Sequence, residues 1–162
     1  MQEQQRCVID IEASGFGRHS YPIEVGYVRD DGQAWCSLVQ PAEDWLHWDP
    51  QAERVHGIAR PLLVQHGRPA AEVARKLNDD LGGRTVYCDG WAHDYAWLGL
   101  LFDAADLVPR FKLESVNRLL DDARLARLDA ERQQAFAALG IARHRASSDA
   151  RALQWALGRL AA

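Results

Sequence analysis

Lysine is nearly missing from this chain: Lys76 and Lys112 are the only two among 19 basic residues, which face 23 acidic ones for a net charge of −4. That balance lacks the basic excess with which polyanion-binding surfaces usually declare themselves. Nucleic acid is not thereby excluded, because the cations present are almost all arginine, whose planar fork suits phosphate. Cysteine is also scarce. Cys7, Cys36 and Cys88 fall in no CxxC or Cys/His spacing, so no zinc site is legible and reduced, mostly buried thiols are expected. No apolar run approaches the roughly 18 residues of a membrane helix, and the opening Met1 to Arg6 lacks the charged-then-apolar order of a signal peptide. A cytoplasmic chain with no membrane partner is the expectation. Linker-like Ser/Gly/Pro tracts, low-complexity segments and repeats are missing too, which makes residues 1–162 one expected domain.

What the chain does contain is an anomaly near its start. Cys7-Val8-Ile9-Asp10-Ile11-Glu12 has the pattern of a buried strand, yet it carries two acids. Side chains two apart on a strand share a face. Across about 6.6 Å, at an effective dielectric of about 20, the two charges repel by roughly 2.5 kcal/mol before desolvation is added. A hard divalent cation such as magnesium or manganese would relieve that repulsion. A pair of solvated acids at an edge strand would give the same pattern, so the stretch alone decides nothing.

The elements that follow frame this pair. Ala13 to Tyr21 reads as a turn, Ile23 to Val28 as an alternating strand, and Asp30-Asp31-Gly32 as a hairpin leading to a partner strand from Ala34 to Val39. A short helix is expected over Gln51 to His56, stopped by Gly57, and another from Pro69 to Gly82. Thr85 to Cys88 is a strand signal after that helix, which implies a parallel crossover. Further helices are expected over Ala92 to Phe102, Ser115 to Leu128, Ala130 to Leu139 and Ser148 to Leu160, with a last strand at Arg110 to Leu113. This order predicts an α/β three-layer domain: a mixed central sheet whose first three strands form an antiparallel meander, flanked by helices.

Three more polar groups stand at element starts. Asp94 opens the helix after the strand ending at Cys88, at the kind of junction where α/β sheets gather ligands. An ordinary first-turn acid complementing the helix dipole would look alike. In His144-Arg145-Ala146-Ser147-Ser148-Asp149, Ser147 or Ser148 could cap the final helix, which places Asp149 in its first turn and His144 just before it.

Together, acid-x-acid on the first strand, an acid opening a later helix and His-x4-Asp before the last helix resemble the DEDD superfamily of 3′-to-5′ exonucleases. The histidine in the last motif points to the DEDDh subclass, which includes the proofreading subunit of bacterial replicative DNA polymerase, ribonuclease T and oligoribonuclease. The resemblance runs from Val8 to Trp155. It implies a ribonuclease H-like fold and a hydrolase that releases nucleoside 5′-monophosphates from the 3′ end of single-stranded DNA or RNA, short oligomers included. It further implies two divalent cations, Mg2+ or Mn2+, held by Asp10, Glu12, Asp94 and Asp149, with His144 as the general base. Arg54-Val55-His56-Gly57-Ile58 resembles a signature that lies beside the terminal nucleotide, and Phe16 matches an apolar position against the terminal base. Ser14 stands in the first motif where familiar members have threonine. The second motif departs further, with Asp89-Gly90-Trp91-Ala92-His93-Asp94 in place of His-Asn before Phe-Asp, so that Asp94 is the expected ligand and Asp89 the weaker substitute.

Arg18, Arg143 and Arg145 lie beside motif residues and could meet phosphate, and Arg145 is the expected substrate contact. Trp45, Trp48 and Trp91 could stack on bases, though core packing is the ordinary role of a tryptophan. Several relatives are homodimers, and a homodimer stays open here. Two other readings are kept beside the exonuclease: a nuclease-like binding module without turnover, and a ribonuclease H-like endonuclease.

Overall fold

Side chains of the first strand, β1 (Cys7–Ala13), are sorted between two cores by the two-residue period of a strand. Cys7, Ile9, Ile11 and Ala13 enter one apolar cluster, and Val8 enters another on the opposite face. Asp10 and Glu12 share the face of Val8. The computed structural model describes residues 5–161, so most of the opening segment examined for a signal pattern lies outside the described residues.

Five strands make the sheet, in the order β3-β2-β1-β4-β5. The strand β2 (Pro22–Val28) runs antiparallel to β1 and to β3 (Ala34–Leu38), which gives the expected meander. Both β4 (Thr85–Cys88) and β5 (Lys112–Ser115) lie parallel to β1, so the sheet is mixed. After α1 (Pro50–His56), helices α2 (Arg60–His66), α3 (Ala70–Leu81) and α4 (Trp91–Ala104) pack on the first face through Leu63, Val73, Leu77, Leu81, Trp97 and Leu101, in a cluster that also takes Ile58. The second face is covered by α5 (Asp122–Leu139) and α6 (Ala146–Leu160). The α/β three-layer architecture is therefore as the sequence predicts.

Several expected boundaries are corrected. Ser115 to Leu128 is not one helix: Ser115 ends β5, Val116–Arg118 forms a single 3-10 turn, and α5 begins only after Asp121, whose carboxylate accepts the Arg124 N–H at 2.9 Å. Helix α5 then continues through Asp129 without a break to Leu139, where Gly140 at φ 63° ends it. The last strand lies at Lys112–Ser115, two residues beyond its expected place, because pairing with β4 sets its register from Thr85 opposite Lys112. Neither serine caps α6. Arg145 holds the N-cap position without a side-chain capping bond, and Ser147 and Ser148 lie within the first turn. Helix α2 was not anticipated. Cys7 and Cys88 are buried free thiols as expected, whereas Cys36 is exposed on the edge strand β3. Among the described residues, no helix is long and apolar enough to cross a membrane.

Candidate metal centre

Because β1 and β4 are parallel neighbours, their carboxyl ends lie together, and that edge of a sheet is where α/β folds place ligands. Asp10 and Glu12 stand near this end on β1. Asp94 comes from the first turn of α4, which follows β4 through Gly90, an αL residue at φ 80°. Asp149 comes from the first turn of α6. One carboxylate oxygen from each of Asp10, Glu12 and Asp149 lies within 4.8 Å of the others. Asp94, buried at 4 % exposure, lies outside this close group but near enough for its charge to raise Asp10 and Glu12.

The close approach of α6 has a sequence cause. Gly26 of β2 pairs with Asp10, so any side chain there would project from the same face as Asp10. A Cβ on Gly26 would lie 2.6 Å from the carbonyl carbon of Ala146 and 2.6 Å from the nitrogen of Ser147. Only the missing side chain lets the start of α6 rest on the sheet. Two pairs further along, Glu24 stands opposite Glu12 and is 2 % exposed. Its carboxylate accepts bonds from the Arg145 guanidinium and from the Ala146 N–H at 2.7 Å. Next to this anchor, His144 adopts φ 65°, and its backbone N–H donates to both oxygens of Asp149 at 3.1 Å.

Burial and mutual repulsion govern the four acids. Asp10 is pushed well above the usual carboxylate range by burial first, then by Glu12, Asp94 and Asp149. Glu12 is pushed up to about 8 by burial, with Asp149 and Glu24 adding to it. Asp94 is likewise raised to about 8, chiefly by burial, while the Cys88 thiol opposes the shift and Asp89 reinforces it. Asp149 is raised by burial against the opposing His144 N–H and Arg132. Oδ2 of Asp10 is buried without a hydrogen-bond partner among the described residues. An acceptor oxygen stranded among carboxylates is what a cation would satisfy. The donor set is all hard oxygen, which fits magnesium or manganese better than a soft metal.

Arg132 of α5 brings a positive charge to this centre. Its Nη1 lies 2.6 Å from Oδ2 of Asp89, its charge lowers the pKa of Asp10 and Asp149, and its buried Nε has no partner among the described residues. Asp89 is thus engaged in an ion pair at the rim, while Asp94 is the buried acid beside the trio.

The other predicted residues separate into surface and interior. Phe16 is 71 % exposed, with its ring 5.2 Å from His93 in an edge contact. Ser14 is buried, with its Oγ 2.8 Å from Nδ1 of His47 and accepting the Tyr21 N–H at 3.0 Å. His56 is buried and accepts the Ile58 N–H at Nδ1, its pKa lowered by that burial, and its Nε2 has no partner among the described residues. Gly57 ends α1 at φ 71°, and Ile58 is a core residue. Trp45 packs in the core, stacked on Tyr21, and Trp48 donates to Glu53 at 2.6 Å. Arg143 lies over the Phe136 ring, and Arg18 is exposed.

Sequence reasoning missed Glu24, Gly26 and Arg132. Glu24 carried a signal of the same kind as Asp10, an acid in an otherwise apolar strand. Arg132 carried none, since it is one arginine among many on a polar helix.

No protein-family model and no curated protein matches the sequence. Among solved structures, the chain is similar to Exonuclease I. The Methylocaldum szegediense enzyme, a moderately thermophilic Exonuclease I, superposes with a TM-score of 0.67 at 18% identity, over 93% of this chain and 38% of that one. E. coli Exonuclease I in complex with a dA16 oligonucleotide gives 0.70 at 16% identity, over 97% and 41%. The zinc-bound E. coli Exonuclease I complex with single-stranded DNA gives 0.71 at 18% identity, over 98% and 40%. The chain spans about two-fifths of the length of these proteins, and the likeness establishes the exonuclease-type, ribonuclease H-like fold.

Proposed function

We propose that this chain is a metal-dependent 3′-to-5′ exonuclease of the DEDDh type. As a single domain over residues 1–162 in the cytoplasm, it would release nucleoside 5′-monophosphates from single-stranded DNA or RNA. The observation that carries this reading is the trio Asp10, Glu12 and Asp149 within 4.8 Å, together with a buried Asp10 oxygen that has no partner among the described residues. The Exonuclease I fold supports the substrate class.

Asp10, Glu12, Asp94 and Asp149 would hold two divalent cations, Mg2+ or Mn2+. Bound there, such ions supply Lewis acidity at a phosphodiester and ease deprotonation of water. His144, on the strained turn before α6, takes the proton from the attacking water, a role typically worth about 10²- to 10⁴-fold. Its backbone N–H meanwhile fixes Asp149, which ties the turn carrying the base to the helix carrying the ligand. Phe16, exposed at the rim, supports the terminal base, and the turn of Ser14 with the segment His56-Gly57-Ile58 shapes the place beside it. Arg145 acts through Glu24, orienting the loop next to the departing nucleotide.

Oligomers labelled at the 3′ or the 5′ end, and a circular single strand, should be incubated with Mn2+ with and without chelator, beside His144→Ala. Stepwise loss from the 3′ end, inert circles, and a rate reduced at least 100-fold in the variant are expected. Cleavage of circles would make the protein an endonuclease, and no cleavage of any substrate would leave a binding module.

A further inference from the structure

The first turns of α4 carry two pairs of aromatic rings that the proposed chemistry leaves unused. Counting about 100° per residue around a helix, Trp91 and Tyr95 lie roughly 60° and 100° to one side of Asp94, while His93 and Trp97 lie as far to the other. Trp97 is a core residue, and His93 stacks on it and meets Phe16, so that flank belongs to the terminal-base side. Trp91 and Tyr95 are different. Their rings stack at 4.9 Å with an interplanar angle of 24°, and they are 39 % and 59 % exposed, outside every core cluster.

An indole fixed in place at the surface is a costly arrangement for packing alone. Trp91 is fixed, because its Nε1–H donates to the Leu113 carbonyl of β5 at 3.3 Å. A flat, preset aromatic surface beside a carboxylate centre offers what an unpaired base takes up, at about 1 to 3 kcal/mol per base. Phosphate has a neighbour there too. Arg132 is bound to Asp89, two residues before Trp91, which puts a guanidinium on the same rim.

We propose that the Trp91–Tyr95 stack is a second base platform, which receives a base of the strand 5′ to the nucleotide being removed. This rests on the exonuclease reading and narrows it: the substrate must present at least two unpaired nucleotides at its end, with little regard to sequence. The Asp89-Gly90-Trp91 departure in the second motif is then the part of the chain that builds this platform, since Asp89 places the arginine and Gly90 turns the chain into α4 one residue before the indole.

The test is binding of a fluorescein-labelled decathymidylate by anisotropy, in Ca2+, to the full chain and to Trp91→Ala, Tyr95→Ala and Trp91→Phe, with turnover in Mn2+ measured beside it. Each alanine variant is expected to bind roughly 5- to 150-fold more weakly, the span of that stacking energy. The salt dependence of the affinity should keep its slope, since no phosphate contact is lost, and Trp91→Phe should recover most of the affinity. Equal affinity in wild type and alanine variants, or no binding by any of them, overturns the platform. Binding that weakens as expected while wild type turns over nothing leaves the platform standing and the exonuclease reading refuted. Thermal melting of each variant separates loss of the platform from loss of the fold, and a Trp91→Ala that fails to fold leaves Tyr95→Ala to decide.

Discussion

Arg145 donates from Nε to both carboxylate oxygens of Glu24 at 3.1 Å and from one terminal nitrogen at 2.6 Å, so a buried acid of β2 holds the loop that carries His144 and leads to Asp149. The guanidinium is half exposed and the carboxylate is almost wholly buried, and the Ala146 N–H adds a further bond to it. Glu24 is therefore the joint between the sheet and the last motif, and it faces Glu12 across the strand pair.

Replacing it should uncouple the two halves of the centre. Glu24→Ala is expected to lower activity roughly 10- to 100-fold, as loss of an orienting partner at a metal site typically does. It should destabilise the fold by about 1–3 kcal/mol, since the Ala146 N–H is left unpaired. Steady-state turnover and urea unfolding check both. Full activity in Glu24→Ala would remove Glu24 from the positioning role.

The raised acids set the pH dependence of stability. Glu12 and Asp94 have folded values of about 8, whereas unfolded carboxylates titrate near 4. Between those values the folded chain keeps protons that the unfolded chain has released, so unfolding releases protons and stability falls as pH rises. In chelator, the melting temperature is expected to be lower at pH 8 than at pH 5.5. Saturating Mn2+ should abolish or reverse the difference, because a cation replaces the protons. Melting curves at both pH values check it, and a chelated protein more stable at pH 8 would contradict the burial of these acids.

Arg132 works against the same protons. Its charge lowers the values of Asp10 and Asp149, so Arg132→Met should raise them and demand a higher pH before a metal can displace the protons. The pH midpoint of Mn2+ binding is expected to move upward, by titration followed calorimetrically. An unchanged midpoint would place the guanidinium outside the reach of the centre.

Much of this centre was legible because its logic is local. Asp10 and Glu12 share a face by the period of a strand, and Asp94 and Asp149 occupy first helical turns, so each could be placed from its neighbours in the chain. Glu24 and Gly26 could not be placed so. What makes them matter is a helix more than 120 residues away in sequence, which rests on one and is bonded by the other. The same reason moved β5: its register answers to β4, and nothing within Arg110 to Ser115 fixes where pairing begins. The expected break between Leu128 and Ala130 does not occur in α5, where Glu131 is bound by Arg127 of the same helix and Arg159 of α6. One ion pair within the helix and one to α6 span that stretch.

The stranded oxygen of Asp10 is expected to belong to a cation. Calorimetric titration of the full chain with Mn2+ at pH 8, beside Asp10→Asn, tests it most directly. Two ions per wild-type chain and loss of at least the tighter one in the variant are expected, with the fold intact by circular dichroism. Equal binding by both proteins, or none by wild type, would contradict it.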